Sequence, residues 1–319
     1  MMVQAICLGE LLIDFVPTVT GTGLTDAPAF IKAPGGAPGN VAVGLARLGV
    51  KSAFMGKVGD DAFGHFLADT LAQAGVEVGP LCFSTEARTA LAFVSLRADG
   101  EREFMFYRHP SADMLFTPRE VDMDVIGQAK LLHFGSISLI SEPSRSATLY
   151  AVDAARAVGG LVSYDPNLRL PLWPDAEAAR QGMLLGLQKA HIVKLSDDES
   201  EFLTGLSDLK KACQALWHDD LKLMVVTRGR AGCTYFTPGF SGDVASFTVE
   251  AVDATGAGDG FVAGLLQGVL ADPTIVRDEA RLRELCRFAN AVGALATTQR
   301  GAIPALPNRE QMQDFLHSH

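Results

Sequence analysis

The sequence is short of cysteine, of basic charge and of long apolar runs. Its five cysteines, Cys7, Cys82, Cys213, Cys233 and Cys286, are far apart, odd in number and form no C-x-x-C pair. That argues against a disulfide framework and for a reducing, cytoplasmic setting, with each thiol acting as a small buried hydrophobe. The seven histidines include no H-x-x-x-H, so no tightly held protein-ligated metal is expected. Lys plus Arg number 27 against 37 Asp plus Glu, a formal net charge of −10. That balance argues against nucleic acid or an anionic membrane as the main partner. No run approaches the roughly 18 apolar residues of a spanning helix. The opening MMVQAICLGELLID carries Glu10 and Asp14 early and lacks a basic start, which fits a first buried strand better than a signal peptide.

Familiar motifs are missing too. No G-x-x-x-x-G-K-[ST] occurs, which removes the P-loop enzymes. A G-x-G-x-x-G fingerprint fails, because Phe261 stands where the third glycine after Gly256 and Gly258 should fall. A nicotinamide-dependent oxidoreductase is disfavoured on that ground. No G-x-S-x-G appears, which disfavours a hydrolase elbow.

What is present is a chain of 319 residues, 48% of them hydrophobic, enough for one large α/β domain spanning 1–319. From Ala129 onward, short apolar runs alternate with helical ones. Strands are expected over Leu131 to Phe134, Leu161 to Tyr164, His191 to Leu195 and Leu221 to Thr227, with helices such as Ser144 to Ala157 and Ala176 to Leu187 between them. This alternation predicts a doubly wound, mostly parallel sheet flanked by helices. Ligands bind beyond the carboxyl ends of such strands. There the sequence places Asp165, Asn167, Lys194, Thr227 and Asp253. Lys194 can reach a phosphate or pair with Asp197 or Asp198, and Ser196 can serve the site or cap the next helix.

The region before Ala129 reads differently. Arg88 to Arg108 holds two β-prone runs around Asp99-Gly100, a dipeptide that favours a type I′ hairpin turn. A two-residue loop would set Arg97 opposite Arg102, so a longer or bulged register is expected. With a further extended stretch near Phe30 to Lys32, this predicts a small β-sheet lid formed by roughly 15–34 and 86–110. Such a lid can exclude water from a cleft, and its exposed face is a candidate homodimer surface.

Two glycine-rich sites carry the chemistry. The first, Ala33 to Gly49, reads APGGAPGNVAVGLARLG. Gly35, Gly36 and Gly39 allow close approach of backbone to ligand, Asn40 both donates and accepts, and Gly49 suits a helix end. Beside Asp14, this makes a site for a polyhydroxy ligand. The second is VDATGAGDGF, Val252 to Phe261. A β-prone run from Phe247 feeds a small-residue turn, Thr255 to Gly258, and then an apolar helix on the sequence pattern. Free N–H groups and the positive end of a helix dipole make such a turn a phosphate pocket. Taken alone, Asp259 could be a first-turn acid worth about 0.3–1 kcal/mol to its helix. Beside a phosphate pocket and a second polar loop, it becomes a candidate general base.

These stretches resemble the ribokinase/PfkB family of sugar kinases, most closely its fructokinases, from about Gly9 to Pro307. Gly35 to Gly49 is similar to the family's first signature and Asp253 to Gly264 to its second. The runs RTALAFVSLRADGEREFMFYR, PSADML, SYDPNLRLPLW and RGAIPALP are similar to fructokinase sequences. The resemblance implies a ribokinase-like fold and ATP-dependent phosphorylation of the 6-hydroxyl of fructose with Mg2+. It makes Asp259 the base and Gly256, Ala257 and Gly258 the anion hole. Asp14, Gly35, Gly36, Asn40, Arg108 and Arg169 fall on sugar or phosphate positions. Lys194, Thr227, Gly229, Gly232 and Asn290 fall on the nucleotide side. Glu199 matches a glutamate that organises Mg2+ through water. Asp253, Thr255, Ala296, Gln299 and Gly301 are candidate K+ ligands, although Ala305 lacks a hydroxyl that some relatives contribute. Ser196, Ala254 and Gly260 depart from commoner residues. A 2-keto-3-deoxygluconate kinase, a ribokinase and a non-catalytic sugar-binding regulator on the same fold are the alternatives.

Overall fold

The computed structural model describes residues 2–19, 21–96 and 102–319. Strands β1 (Ala5–Leu8), β2 (Leu12–Pro17), β3 (Phe30–Gly35), β4 (Ser52–Gly59), β5 (Leu81–Ser84), β6 (Ala90–Leu96) and β7 (Arg102–Tyr107) come first. They are followed by β8 (Leu131–Gly135), β9 (Leu161–Asp165), β10 (Ile192–Ser196), β11 (Leu223–Thr227), β12 (Cys233–Phe236) and β13 (Ser241–Val244). One sheet runs β13-β12-β11-β10-β9-β8-β1-β4-β5. Its pairs from β11 to β5 are parallel, while β11–β12 and β12–β13 are antiparallel. This is the doubly wound sheet that the alternating pattern predicts.

Burial on both faces explains the near-continuous apolar strands. Ala5, Cys7, Leu131 and Val225 pack into a core on one face, and Ile6, Leu8, Leu132, Met224 and Val226 into a core on the other. The period of two along each strand divides its side chains between the two cores. Each buried Leu, Ile, Val or Met among them contributes about 1.5–3 kcal/mol, so the sheet forms a rigid floor for loops at its ends. The helices Ser144–Ala157 and Ala176–Leu187 have the bounds read from the sequence.

The helix that carries the late glycine turn, Ala257–Ala271, is mostly buried. It packs against the helix Glu279–Ala296 through glycines. A Cβ on Gly264 would lie 2.9 Å from Val292, and one on Gly268 would lie 2.2 Å from Leu285. The missing side chains let the two helices close on each other, which fixes where the first turn of Ala257–Ala271 points.

The segment before that turn corrects one expectation. Phe247 to Val252 is β-prone, yet it forms no strand; after Val244 the chain leaves the sheet and runs as irregular backbone. Propensity alone makes no strand where the segment has no ladder partner. Its side chains line a cavity instead, as described below.

A second sheet runs β3-β2-β6-β7. In its hairpin, Leu96 pairs with Arg102, a register that differs from the one a two-residue Asp99-Gly100 loop would set. The expected Asp99-Gly100 turn and Arg97 lie outside the described residues.

Candidate active site

Gly256 caps the helix Ala257–Ala271 with φ 81° and ψ −1°. An L side chain is strained there, and a Cβ would also lie 2.8 Å from the Ala302 Cα. Asp253 pins the turn. Its Oδ1 accepts from the Thr255 N–H and Oγ1 at 2.9 and 2.7 Å, and its Oδ2 accepts from the Gly301 N–H at 2.9 Å. Among the described residues, the N–H groups of Gly256, Gly258 and Asp259 find no protein acceptor, and Ala257 makes only a long 3.3 Å bond to the Ala254 carbonyl. These donors, with the helix dipole behind them, form an anion pocket.

Asp259 is the third residue of that helix. Its Oδ2 accepts a 2.8 Å hydrogen bond from Asn40 Nδ2, joining residues from opposite ends of the chain. Burial raises the Asp259 pKa, opposed by the Asn40 N–H and by Lys194 and Arg169. Asn40 lies in the first turn of the helix Ala37–Arg47, which begins earlier than its glycines suggest. Gly39 therefore belongs to the helix, and its missing Cβ makes room for Leu11 at 2.7 Å rather than for a ligand. Gly36 is required, with φ 106° and a would-be Cβ 2.5 Å from the Glu10 carbonyl. A Cβ on Gly35 would lie 2.2 Å from Asp14 Oδ2, so this glycine leaves space for that carboxyl. Burial pushes the Asp14 pKa to about 7; Arg169 pulls it down, and Asp259 and Asp253 push it up.

Lys194 pairs with neither Asp197 nor Asp198. Its Nζ lies 3.1 Å from Asp165 Oδ2 across the ends of β10 and β9, and 3.3 Å from where a Gly258 Cβ would stand. Burial alone would lower the Lys194 pKa, but Asp165, Glu199 and Asp259 outweigh it and raise the value. Asp165 is itself raised by burial and by Glu199 and Asp259, against the pull of Lys194. The pair thus places a cation beside the anion pocket. Ser196 caps the helix Asp197–Thr204 in a capping box with Glu199, the plainer of the two readings open for it. Asp197 and Asp198 are exposed first-turn acids.

Arg169 is half-buried. Its charge acts on both Asp14 and Asp259, and it stands 5.8 Å from the Phe104 ring of the small sheet. Arg108 is placed differently. It is buried, and its guanidinium is committed to Asp113 at 2.6 Å and to the Ile137 carbonyl at 3.5 Å. Glu10 lies near that pair, and burial pushes its pKa to about 7. Arg108 therefore anchors the end of β7 instead of joining the cluster around Asp259.

A cavity of about 450 Å3 opens on the other side of the turn. Thr227, Gly229, Gly232 and Asn290 line it, and it reaches Ala257 and Gly258. Asn290 Nδ2 donates to the Val244 and Ala245 carbonyls at 3.1 and 3.2 Å, so it shapes the wall where β13 ends. Arg230, Phe247, Thr248 and Val249 also line the cavity. No sequence pattern marked these as cavity residues; Phe247 to Val249 lie in irregular backbone that has no periodicity to read.

A nucleotide-sized cavity thus ends on an anion pocket, with a carboxylate and a polar cleft beyond it. That arrangement defines a phosphotransferase acting on a hydroxylated acceptor. Residues 2–309 match the pfkB family carbohydrate kinase profile, and the chain belongs to that family. A probable fructokinase-4 of Arabidopsis thaliana is 57% identical over 98% of this chain and 96% of its own. The solved fructokinase of Xylella fastidiosa with bound ATP superposes with a TM-score of 0.91 at 36% identity, covering 99% of this chain and 98% of that one. A fructokinase double mutant of Vibrio cholerae O395, in a fructose-, ADP- and potassium-bound form, gives a TM-score of 0.88 at 37% identity, covering 99% and 98%.

Proposed function

We propose that the chain is a fructokinase, transferring the γ-phosphoryl group of ATP to the primary 6-hydroxyl of D-fructose. One observation carries the mechanism. The cavity lined by Thr227, Gly229 and Asn290 ends on the unpartnered N–H groups beside Asp259. ATP lies in that cavity with its γ-phosphate at Gly256, Ala257 and Gly258. Fructose lies between Asp14, the Gly35-Gly36 turn and Asn40. Asp259 takes the proton of the 6-hydroxyl as that oxygen attacks phosphorus in line, and ADP leaves. General-base action of this kind contributes about 10²–10⁴-fold. Each well-aimed anion-hole donor contributes about 2.7–4 kcal/mol. Lys194 and Arg169 share the remaining charge.

Mg2+ would ride on the phosphates with most of its water kept, and Asp165 and Glu199 would meet it through that water. When bound, it neutralises charge between the phosphates. Asp253 with the backbone of Thr255, Ala296 and Gly301 offers one carboxylate among carbonyls, a donor set suited to K+.

The small sheet acts as a lid over the sugar, with Phe104 against Arg169. Its exposed Ile31, Met105 and Tyr107, at 61%, 43% and 58%, support a homodimer through the same sheet. Among the described residues no helix is long and apolar enough to cross a membrane, and the buried thiols of Cys7, Cys213, Cys233 and Cys286 suit a cytoplasmic setting.

The test is coupled ADP release over fructose, ribose, glucose and 2-keto-3-deoxygluconate, with wild type and Asp259→Asn. Fructose should give the highest kcat/KM. The variant should keep sugar and nucleotide binding and lose at least about 10²-fold in kcat. Near-normal ADP release by Asp259→Asn would remove it as the base.

A further inference from the structure

Glu199 is buried, with only 7% of its surface exposed, and both its carboxylate oxygens accept backbone hydrogen bonds. Oε2 takes the Ser196 N–H at 2.8 Å, as a capping box requires. Oε1 takes the Leu168 N–H at 2.8 Å, across 31 positions of sequence. The second bond does nothing for the helix, so capping explains half of what this carboxylate does.

Leu168 is held from both sides. Its carbonyl accepts the Arg169 Nη1 at 3.0 Å. The segment leading to it is also fastened. The Pro166 carbonyl accepts from the Ser136 N–H and Oγ at 3.1 and 2.6 Å. Asn167, with φ 48°, donates its N–H to Asp165 Oδ1 at 3.2 Å. The chain therefore turns sharply after β9 and delivers Arg169 toward Asp14, Asp259 and Phe104. Glu199 is the tie between this turn and the helix after β10.

We propose that Glu199 is a positioning residue that fixes the Arg169 guanidinium through Leu168, beyond any part it plays with Mg2+. The proposal rests on the kinase reading for its effect on turnover. A displaced charged group near the reacting atoms costs about 10²-fold in rate. Glu199→Ala should therefore lower kcat and raise the fructose KM in the same pattern as Arg169→Ala, by about 10–100-fold in kcat/KM. The double variant should be no worse than Arg169→Ala alone, because both changes remove one function. These losses should persist at saturating Mg2+, where any part Glu199 plays with the metal's water no longer limits the rate. Ser196→Ala, which weakens the cap and leaves the Leu168 bond, should stay near wild type. Losses that multiply in the double variant, or a raised Mg2+ requirement with fructose KM unchanged, would overturn the proposal.

Amide hydrogen exchange of the full chain separates this from the kinase reading. The Leu168 amide should be protected in wild type and lose that protection in Glu199→Ala and in Glu199→Leu, neither of which has an acceptor for it. Unchanged Leu168 protection in the folded Leu variant would refute the tie by itself. Wild-type protein that releases no ADP with any sugar would refute the kinase reading and leave the exchange result to decide the tie.

Discussion

The 2.8 Å bond from Asn40 Nδ2 to Asp259 Oδ2 gives a quantitative prediction for Asn40→Ala. A hydrogen bond to a charged group is worth about 1.5–3 kcal/mol net. One pKa unit corresponds to about 1.36 kcal/mol, so loss of the bond should shift Asp259 by about one to two units. The direction is upward, because the N–H favours the carboxylate form. Lys194 and Arg169 remain to hold the value down, and the carboxylates of Asp14 and Asp165 lie in the same cluster. A base works deprotonated, so the acid limb of kcat/KM for fructose should move to higher pH by about one to two units. Fructose KM should rise as well, because Asn40 Oδ1 is buried without a protein partner and is free to accept from a sugar hydroxyl. The assay is coupled ADP release from about pH 5 to about pH 9, with thermal melts to exclude unfolding. A lower plateau with an unmoved acid limb would refute the reasoning. It would mean that Asn40 serves the sugar alone, or that Asp14, which Asn40 does not touch, sets the limb.

Gly256→Ala should cost about 1–2 kcal/mol for the left-handed backbone alone, plus the contact with Ala302 at 2.8 Å. It should lower the melting temperature and reduce kcat more than it raises KM; wild-type values for both would contradict the turn geometry. Glu10→Gln should stabilise the protein at alkaline pH relative to wild type. The Glu10 carboxyl ionises near 7 when folded, against an ordinary 4.5. Between those values the folded chain holds a proton that the unfolded chain lacks, so wild-type stability falls as pH rises. Glutamine escapes that loss, so the variant should gain on wild type by up to about 3 kcal/mol between pH 4.5 and 7. Parallel stability curves in urea at the two ends of that range would show that Glu10 does not titrate there.

The large sheet was legible because its strands are buried on both faces, and an apolar run bounded by turn residues announces that directly. Glycine marked the two turns for a local reason too, since positive φ at Gly36 and Gly256 is a demand a single residue can reveal. Pairings between distant segments were not legible. Asp197 and Asp198 stood near Lys194 as the candidate partners, and only the parallel register of β9 beside β10 puts Asp165 across from the ammonium. Asp197 is nearer in sequence, but it turns outward on the first turn of its helix. Phe247 to Val252 misled for the converse reason. Its aromatic and branched residues suit a half-buried surface, and here that surface is the cavity wall. Arg108 fell on a ligand position by resemblance, and its pairing with the buried Asp113 is a contact that no sequence pattern announces.

The site also explains why its carboxylates sit where they do. Asp14, Asp165, Glu199 and Asp259 converge on the strand ends with Lys194 and Arg169 as the cations acting on them. Such a cluster would repel a triphosphate if it shared the nucleotide cavity. It does not; the cavity is lined by Thr227, Asn290 and the small residues Ala257 and Gly258. On the proposed mechanism, phosphate would meet main-chain donors on one side of the helix start, and Asp259, the proposed base, stands one residue beyond Gly258. Gly258 keeps the two compartments close, because a side chain there would crowd Lys194 at 3.3 Å. The negative charge that favours proton removal and the positive potential that favours phosphoryl transfer are thus separated by a single turn of helix. On the proposed mechanism the carboxylate acts on the attacking oxygen, and the main-chain donors act on the oxygens of the phosphoryl group that it meets.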